Sequence, residues 1–198
     1  MSAYPVLRRF TPEEYLRLER ASRTKNEYVD GLIYAMAGAT FSHDRIVMNA
    51  TFLLQSQLRD GKCTVNSADF RIAVSQGGPY FYPDLSVICG KPKFLDDSLD
   101  CAMNPVVVVE VLSKSTRKFD RETKVERYYE VPTLRHIVLI SQFAVAVEHH
   151  FRVKGGKWRT EKLETLESAV KLAAVGASLP LAAIYDRMTL TSRLKPPE

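Results

Sequence analysis

The chain has 198 residues, 45% of them hydrophobic and 26% charged, which is typical of a folded globular protein of about one domain. No apolar run approaches the roughly 20 residues of a membrane-spanning helix, and Arg8 and Arg9 interrupt the N-terminus too early for a signal peptide, so we expect a cytoplasmic protein without membrane contact. The formal net charge of +5 is compatible with a polyanionic partner such as DNA, although many other cytosolic proteins are equally basic. Cys63, Cys89 and Cys101 are odd in number and have no close pair, which predicts neither a disulfide framework nor a thiolate zinc site.

The N-terminal region predicts a helix followed by a hairpin. Thr11 and Glu14 have the spacing of a capping box, with a proline at the first helical position between them. Residues 25–29 and 32–36 then form two short strand patterns around Asp30-Gly31, a dipeptide typical of tight hairpin turns because glycine accepts positive φ. We expect the helix to be scaffold.

A long amphipathic helix follows, and we expect Ser42 to be its N-cap and Gly61 to lie just beyond its end. His43 falls in the first turn of this helix. A lone histidine is most often structural or exposed, so the position by itself indicates no function. Two strand patterns, 62–66 and 70–74, come next.

Two apolar strand patterns then each contain a single acid. Asp84 lies in Tyr82–Ile88, and Glu110 lies in Pro105–Ser113 after four consecutive valines, a pattern typical of a strand buried on both faces. A carboxylate that cannot reach water requires a partner or a metal, so two such acids on adjacent strands predict a shared divalent cation. The alternative is that Asp84 pairs with an arginine and that Glu110 ends its strand in solvent.

The segment 113–124 is rich in cations and hydroxyl groups, which suits phosphate contact but also fits a solvated helix face. A helix is predicted at about 118–131, where Lys124 and Tyr128 lie on one face because they are four residues apart. The remaining predicted elements are a strand at 135–141, a hairpin of 145–153 and 158–163, and a short helix near 181–188.

Together these residues resemble the PD-(D/E)XK nuclease superfamily, and more closely a bacterial family of restriction-endonuclease-like proteins formerly catalogued as a domain of unknown function. The likeness covers about residues 10–185. The residues that carry it are Asn26-Glu27-Tyr28-Val29-Asp30-Gly31, His43, Tyr82-Pro83-Asp84, Val109-Glu110-Val111-Leu112-Ser113, Ser115-Thr116, Asp120, Lys124 and Tyr128. Pro-Asp alone is a weak signal, whereas the ordered series is specific.

The resemblance implies an α/β (α+β) fold with a restriction-endonuclease-like core, in which helices flank a mixed central sheet and extra β-hairpins lie at both ends. We expect one domain spanning 1–198. Its core would be about 42–141, with an N-terminal helix and hairpin at 11–37 and a C-terminal hairpin and short helix at 144–188.

The resemblance also implies a site in which Asp84 and Glu110 hold Mg²⁺, with Mn²⁺ as a substitute and the Val111 carbonyl as a third protein ligand. Glu27 would be an additional acid near the metal, and His43 would project toward it from its helix.

The catalytic lysine is where this chain departs from the parent motif, because Leu112 stands two residues after the glutamate, where that motif has lysine. The family resemblance assigns the role to Lys124 on the following helix. Lys114 is a rival, because it alternates onto the strand face of Glu110.

The resulting hypothesis is a Mg²⁺-dependent DNA endonuclease, which would act as a homodimer if it cuts both strands. The broken motif keeps open a nucleic-acid-binding module with a decayed site. A third alternative, an acid hydrolase or small-ligand binder, is disfavoured because the chain has no P-loop, dinucleotide-binding glycine motif or nucleophile elbow.

Overall fold

The computed structural model describes residues 8–36 and 38–188, and this part of the chain is a mixed α+β structure, which confirms the predicted fold class. The helical segments are α1 (Pro12–Ala21), α2 (Phe41–Leu58), α3 (Arg117–Phe119), a π-helical turn (Asp120–Lys124), α4 (Val125–Tyr129) and α5 (Leu181–Ile184). The strands are β1 (Asn26–Val29), β2 (Leu32–Ala35), β3 (Cys63–Ser67), β4 (Arg71–Ala73), β5 (Tyr80–Phe81), β6 (Leu85–Cys89), β7 (Cys101–Ala102), β8 (Pro105–Leu112), β9 (His136–Ser141), β10 (Val147–Arg152), β11 (Trp158–Leu163), β12 (Ala169–Leu172) and β13 (Ala177–Pro180). Among these described helices, none combines the length and apolar character needed to cross a membrane.

The central sheet has six strands in the order β11-β10-β9-β8-β6-β3. Its β8 and β9 are parallel and its other neighbours are antiparallel. Parallel neighbours require a crossover connection, which the helical run from α3 through α4 supplies. A second sheet has the order β2-β1-β5-β4-β7, and β12 pairs with β13 in a third.

Strand β8 is buried on both faces, as its valines predict. Val107, Val109 and Val111 pack in the cluster that contains α2, whereas Val108 and Leu112 pack with α4 on the opposite face. Because side chains alternate along a strand, Glu110 lies on the α4 side.

The first two predicted elements form as expected. Thr11 accepts a hydrogen bond from the Glu14 amide, and the Glu14 carboxylate accepts one from the Thr11 amide, which completes the capping box. The β1–β2 hairpin turns at Asp30 and Gly31, whose φ angles are +50° and +87°. The glycine tolerates this backbone conformation without a steric penalty.

The N-terminus of α2 differs from the prediction. Its N-cap is Thr40 and not Ser42: the Thr40 hydroxyl accepts a hydrogen bond from the His43 amide and also binds Gln142. This second, tertiary contact favours the earlier start. The opposite end of α2 is buried through Leu54 and Leu58.

The expectation that the cysteines stay unpaired is wrong. Cys63 and Cys89 are 26 residues apart in the sequence, but they lie directly opposite each other on the antiparallel strands β3 and β6, and they form a disulfide bond. Cys101 is a free, buried thiol. Sequence separation alone therefore gave no indication of the strand register that brings the pair together.

Candidate active site

The chain passes from the second sheet to the central sheet between β5 and β6, and the acidic side chains converge at this crossing. The sequence pattern had placed Asp84 within a strand, whereas the structure places it immediately before β6. Leu85 pairs with Val109, so Asp84 lies one position beyond the last paired residues and beside Glu110. Glu27 reaches the same point from β1, where its carboxylate accepts a hydrogen bond from the Tyr82 amide at 2.9 Å.

Lys124 lies at the centre of this group with its side chain only 4% exposed. Its Nζ is 2.8 Å from Glu27 Oε1, 3.1 Å from Glu110 Oε1 and 3.5 Å from Asp120 Oδ1. All three carboxylates are similarly buried. One ammonium group is thus surrounded by three carboxyl groups that have almost no access to water.

The π-helical turn determines which side chains of the helical run face Glu110. Asp120 and Lys124 are its first and last residues, and both are buried. Tyr128 follows in α4 and donates a hydrogen bond from its hydroxyl to Glu110 Oε1 at 2.7 Å. Single π-helical turns occur frequently at functional sites because they re-aim side chains of an otherwise regular helix.

Asp84 and His43 form the less buried part of the site, with side chains 13% and 16% exposed. Asp84 Oδ2 accepts a hydrogen bond from the Val111 amide at 2.6 Å and lies 3.3 Å from His43 Nε2. No arginine of the described chain pairs with Asp84, which excludes that alternative for residues 8–36 and 38–188. The buried Nδ1 atom of His43 has no hydrogen-bond partner among the same residues.

Burial dominates the electrostatics of the inner group. It raises the pKa of Glu110 well above its ordinary value, and the charges of Asp120 and Asp84 add to this effect. Burial also raises the pKa of Glu27. For Lys124 burial acts to lower the pKa, but the surrounding carboxylates outweigh it and raise the pKa well above the ordinary value. Lys124 is therefore a permanent cation and not a proton acceptor.

The outer pair behaves differently. Burial acts to lower the pKa of His43, but the hydrogen bond to Asp84 and the charge of that carboxylate outweigh it and raise the pKa. A protonated His43 therefore stabilises the Asp84 carboxylate in the metal-free protein.

The structure brings all five sequence-predicted side chains to one site, where they form two groups of residues in contact with one another. Glu27, Glu110 and Lys124 form the inner group, and Asp84 with His43 forms the outer one. Val111 contacts the outer group through its backbone nitrogen, and its carbonyl as a ligand stays a prediction.

The two other positions considered for the lysine lie outside these groups. Lys114 is exposed and forms no salt bridge with a described residue. Leu112 is buried in the apolar cluster around α4, so the strand position of the parent motif serves packing here.

Sequence reasoning assigned no role to Asp120 or Tyr128, although both were part of the resemblance. The signal was available in the spacing: Asp120, Lys124 and Tyr128 follow one another at intervals of four residues. On a helix such a series lies on one face.

A hard divalent cation suits this donor set, because the acids supply oxygen ligands and outnumber the cations. No three His, Cys, Asp or Glu side chains in the described ranges are already arranged around one point as a metal cage. Mg²⁺ does not require such a cage, because it is usually held by one or two carboxylates and keeps several waters. Asp84, immediately before β6, and Glu110, in the adjacent strand β8, are two carboxylates at neighbouring positions.

Several known proteins are similar to this chain in sequence or structure. Residues 12–182 match the Uma2 family, described as "Putative restriction endonuclease". Two proteins of Synechocystis sp. (strain ATCC 27184 / PCC 6803 / Kazusa) are similar. Uncharacterized protein sll1609 is 36% identical over 153 residues, which are 77% of this chain and 86% of that protein. Uncharacterized protein slr1290 is 32% identical over 177 residues, which are 89% of this chain and 92% of that protein.

A crystal structure from Anabaena variabilis ATCC 29413, described as a putative nuclease belonging to DUF820, superposes with a TM-score of 0.75. The superposition covers 89% of this chain and 97% of that chain at 16% sequence identity. At this identity the likeness establishes the fold. Because the family match spans most of the chain and two relatives exceed 30% identity, the chain belongs to the Uma2 family, within the restriction-endonuclease-like superfamily.

Proposed function

We propose that this protein is a Mg²⁺-dependent endonuclease that hydrolyses phosphodiester bonds of DNA, with Mn²⁺ as a substitute metal. The observation that carries the proposal is the charge balance of the site, in which three buried carboxyl groups surround one lysine and a fourth, that of Asp84, lies beside them against His43. Buried carboxylates require compensation by protons or cations. Burial raises the pKa values of Glu27 and Glu110, because it penalises their charged forms, and a bound cation would offset that penalty.

Asp84 and Glu110 are the proposed protein ligands, with the Val111 carbonyl beside them. A bound divalent cation would polarise the scissile phosphate and lower the pKa of an attacking water. Asp84 is held in place by the Val111 amide, and that contact uses the same oxygen that faces His43. The carboxylate is therefore oriented before any ligand arrives, which lowers the entropic cost of binding.

Lys124 is the proposed phosphate-facing cation. Glu27 and Asp120 hold its ammonium group next to Glu110, so the lysine is positioned without lying on the strand. Because its pKa is raised, Lys124 orients water and stabilises developing negative charge and does not act as a base. Tyr128 donates a hydrogen bond to the same Glu110 oxygen that Lys124 contacts and thereby helps to fix the carboxylate.

His43 would act at the solvent side of the site. Its Nε2 faces Asp84, and its buried Nδ1 is unpartnered within the described ranges. A cation bound at Asp84 would weaken the attraction that now raises the pKa of His43. The neutral ring could then accept a proton, which Lys124 cannot do.

The charge of the segment after β8 supports DNA as the substrate. Lys114 and Lys118 are exposed there, and Arg121 is exposed beyond them although it pairs with Glu148. Phosphate contacts of this kind supply sequence-independent affinity that falls steeply with salt. Cleavage of both strands would require two sites and hence two copies of the chain.

The test is cleavage of supercoiled plasmid at low ionic strength with Mg²⁺, Mn²⁺ or EDTA. We expect metal-dependent nicking or linearisation by the wild type and its loss in Asp84→Asn. The matched control is Asp69→Asn, which removes an exposed acid paired with Lys25 on the surface. Equal activity in Asp84→Asn and the wild type would refute the assignment of this site.

The same experiment separates the alternatives. Salt-sensitive DNA binding without cleavage under any metal would support the binding module with a decayed site, for which Leu112 in place of lysine is the specific observation. Absence of both metal and DNA binding would favour the small-ligand alternative. The contact between Lys124 and Glu110 supports an active site, because it restores the pair that Leu112 breaks.

A further inference from the structure

The outward face of α2 carries three large apolar side chains that no described element covers. Phe41 is 76% exposed, Phe52 72% and Met48 53%. At 3.6 residues per turn these three positions fall on one narrow line along the helix. The line lies opposite the buried residues, which include Ala50. Isolated exposed apolar residues are ordinary, whereas an aligned set marks an interaction surface.

Three polar residues continue the same line at intervals of three and four. We call the complete set the α2 stripe; its members are Phe41, Arg45, Met48, Phe52, Gln55 and Arg59. Alternating intervals of three and four residues are the pattern of a seam between two packed helices. The stripe extends over about 27 Å, the length of an 18-residue helix.

When a second copy of the stripe is placed antiparallel to the first, each residue faces a residue of compatible chemistry. In an antiparallel pair centred on Ala50, residues equally far from the centre meet. Phe41 then meets Arg59 of the second copy, an aromatic ring against a guanidinium group. Met48 meets Phe52, a thioether against an aromatic ring. The remaining pair, Arg45 with Gln55, is polar and carries no like-charge repulsion.

We propose that the α2 stripe is the interface of a homodimer in which α2 packs antiparallel against α2 of a second copy. Self-complementarity is the requirement of a twofold interface, where one patch must fit itself. A different protein would impose no such palindrome on the stripe. The proposal does not rest on the nuclease assignment, because it uses no residue of the site.

The C-terminal end of α2 offers a recess for the protruding residue of the second copy. A cleft of about 460 Å³ lies there, lined by Phe52, Arg59 and Val65 among others. Antiparallel packing brings Phe41 of the second copy to Arg59 and therefore to this cleft. A projecting aromatic residue and a recess thus lie at opposite ends of one patch, as a twofold contact requires.

The same contact would cover an open sheet edge. Strand β3 is the terminal strand of the central sheet and lines the cleft through Cys63 and Val65. The opposite terminal strand, β11, carries Arg159, Glu161 and Lys162, charges that discourage further pairing. Strand β3 has no charged residue, so an adjacent copy is an alternative way to protect it.

Light scattering coupled to size-exclusion chromatography tests the proposal on the full chain. We expect a mass of about twice 22.4 kDa for the wild type and a shift to the monomer for Met48→Glu. The matched control is Leu18→Glu, a partly exposed apolar residue on α1, which should leave the dimer intact. A monomeric wild type, or a dimer unaffected by Met48→Glu, would overturn the proposal.

Cysteine cross-linking tests the register. Oxidising a mixture of Met48→Cys and Phe52→Cys chains should give several-fold more covalent dimer than either variant alone, because those two positions meet across the axis. The three native cysteines should contribute no background, since Cys63 and Cys89 are paired and Cys101 is buried. Preferential self-cross-linking of one variant would reject the proposed pairing centred on Ala50.

Discussion

Replacing Lys124 with methionine removes the only ammonium group that residues 8–36 and 38–188 place in contact with the inner carboxylates of the site. Methionine has a similar length and fills the same space. Glu27, Glu110 and Asp120 then face one another with no cation among them. The substitution therefore isolates the electrostatic role of the lysine from its packing.

The expected cost in the metal-free protein is about 3–5 kcal/mol of unfolding free energy at neutral pH, the usual penalty for leaving buried charge uncompensated. The carboxyl groups can escape this penalty by protonation. Burial already raises the pKa values of Glu27 and Glu110 above their ordinary value in the presence of Lys124, and the loss of its charge raises them further. An acid with a raised folded-state pKa destabilises the fold as pH rises above the unfolded value. The difference in unfolding free energy between the wild type and the variant should therefore shrink to about 1 kcal/mol near pH 5. The remaining difference comes from the hydrogen bonds that Lys124 no longer makes.

Urea unfolding of both proteins in EDTA, across pH 5 to about 8, provides the measurement. Lys114→Met is the matched control: that lysine is exposed, and its loss should change stability by less than about 0.5 kcal/mol. A pH-independent deficit in Lys124→Met, or one no larger than that of the control, would refute the electrostatic account of the site.

Two further predictions concern other buried titratable groups. Glu110→Gln should abolish cleavage and raise the stability of the metal-free protein at neutral pH by about 1 kcal/mol. The amide oxygen still accepts hydrogen bonds from Lys124 and Tyr128, but the variant no longer buries a carboxyl group whose pKa is raised. Lower stability than the wild type in EDTA would contradict this prediction. Burial lowers the pKa of His136 from 6.5 to about 4, and its Nδ1 lies 2.9 Å from Nε2 of His149. The free energy of unfolding should therefore fall by at most about 3 kcal/mol as the pH drops from 6.5 to about 4. The sign follows because the unfolded chain binds the proton first; an NMR titration that places the pKa of His136 near 6.5 would exclude the effect.

Asp84 and Glu110 could be singled out from local patterns, whereas the role of Lys124 was implied by the family resemblance. Four valines before Glu110 indicate a strand buried on both faces, and a carboxylate in such a strand requires compensation. The spacing of Lys124 and Tyr128 indicates a common helix face, and both contact Glu110. The buried strand and the shared helix face depend only on short-range periodicity, which the sequence displays directly.

The details that escaped prediction depend on contacts between distant parts of the chain. Thr40 is the N-cap of α2 and also binds Gln142, about a hundred residues away. The disulfide between Cys63 and Cys89 follows from the register of β3 and β6. Neither the partner of a side chain nor the register of a strand is encoded within a short window of sequence.

The sequence by itself determined most element types and singled out Asp84 and Glu110, because hydrophobic periodicity and burial cost are local properties of the chain, whereas the displaced lysine and Glu27 came from the family resemblance. Only the tertiary structure decided that Asp120 belongs to the inner group, that Asp84 is oriented by the Val111 amide and that His43 faces it. Those arrangements arise where two sheets and two helical segments meet. The charge balance of the site therefore depends on contacts between residues that are far apart in the sequence.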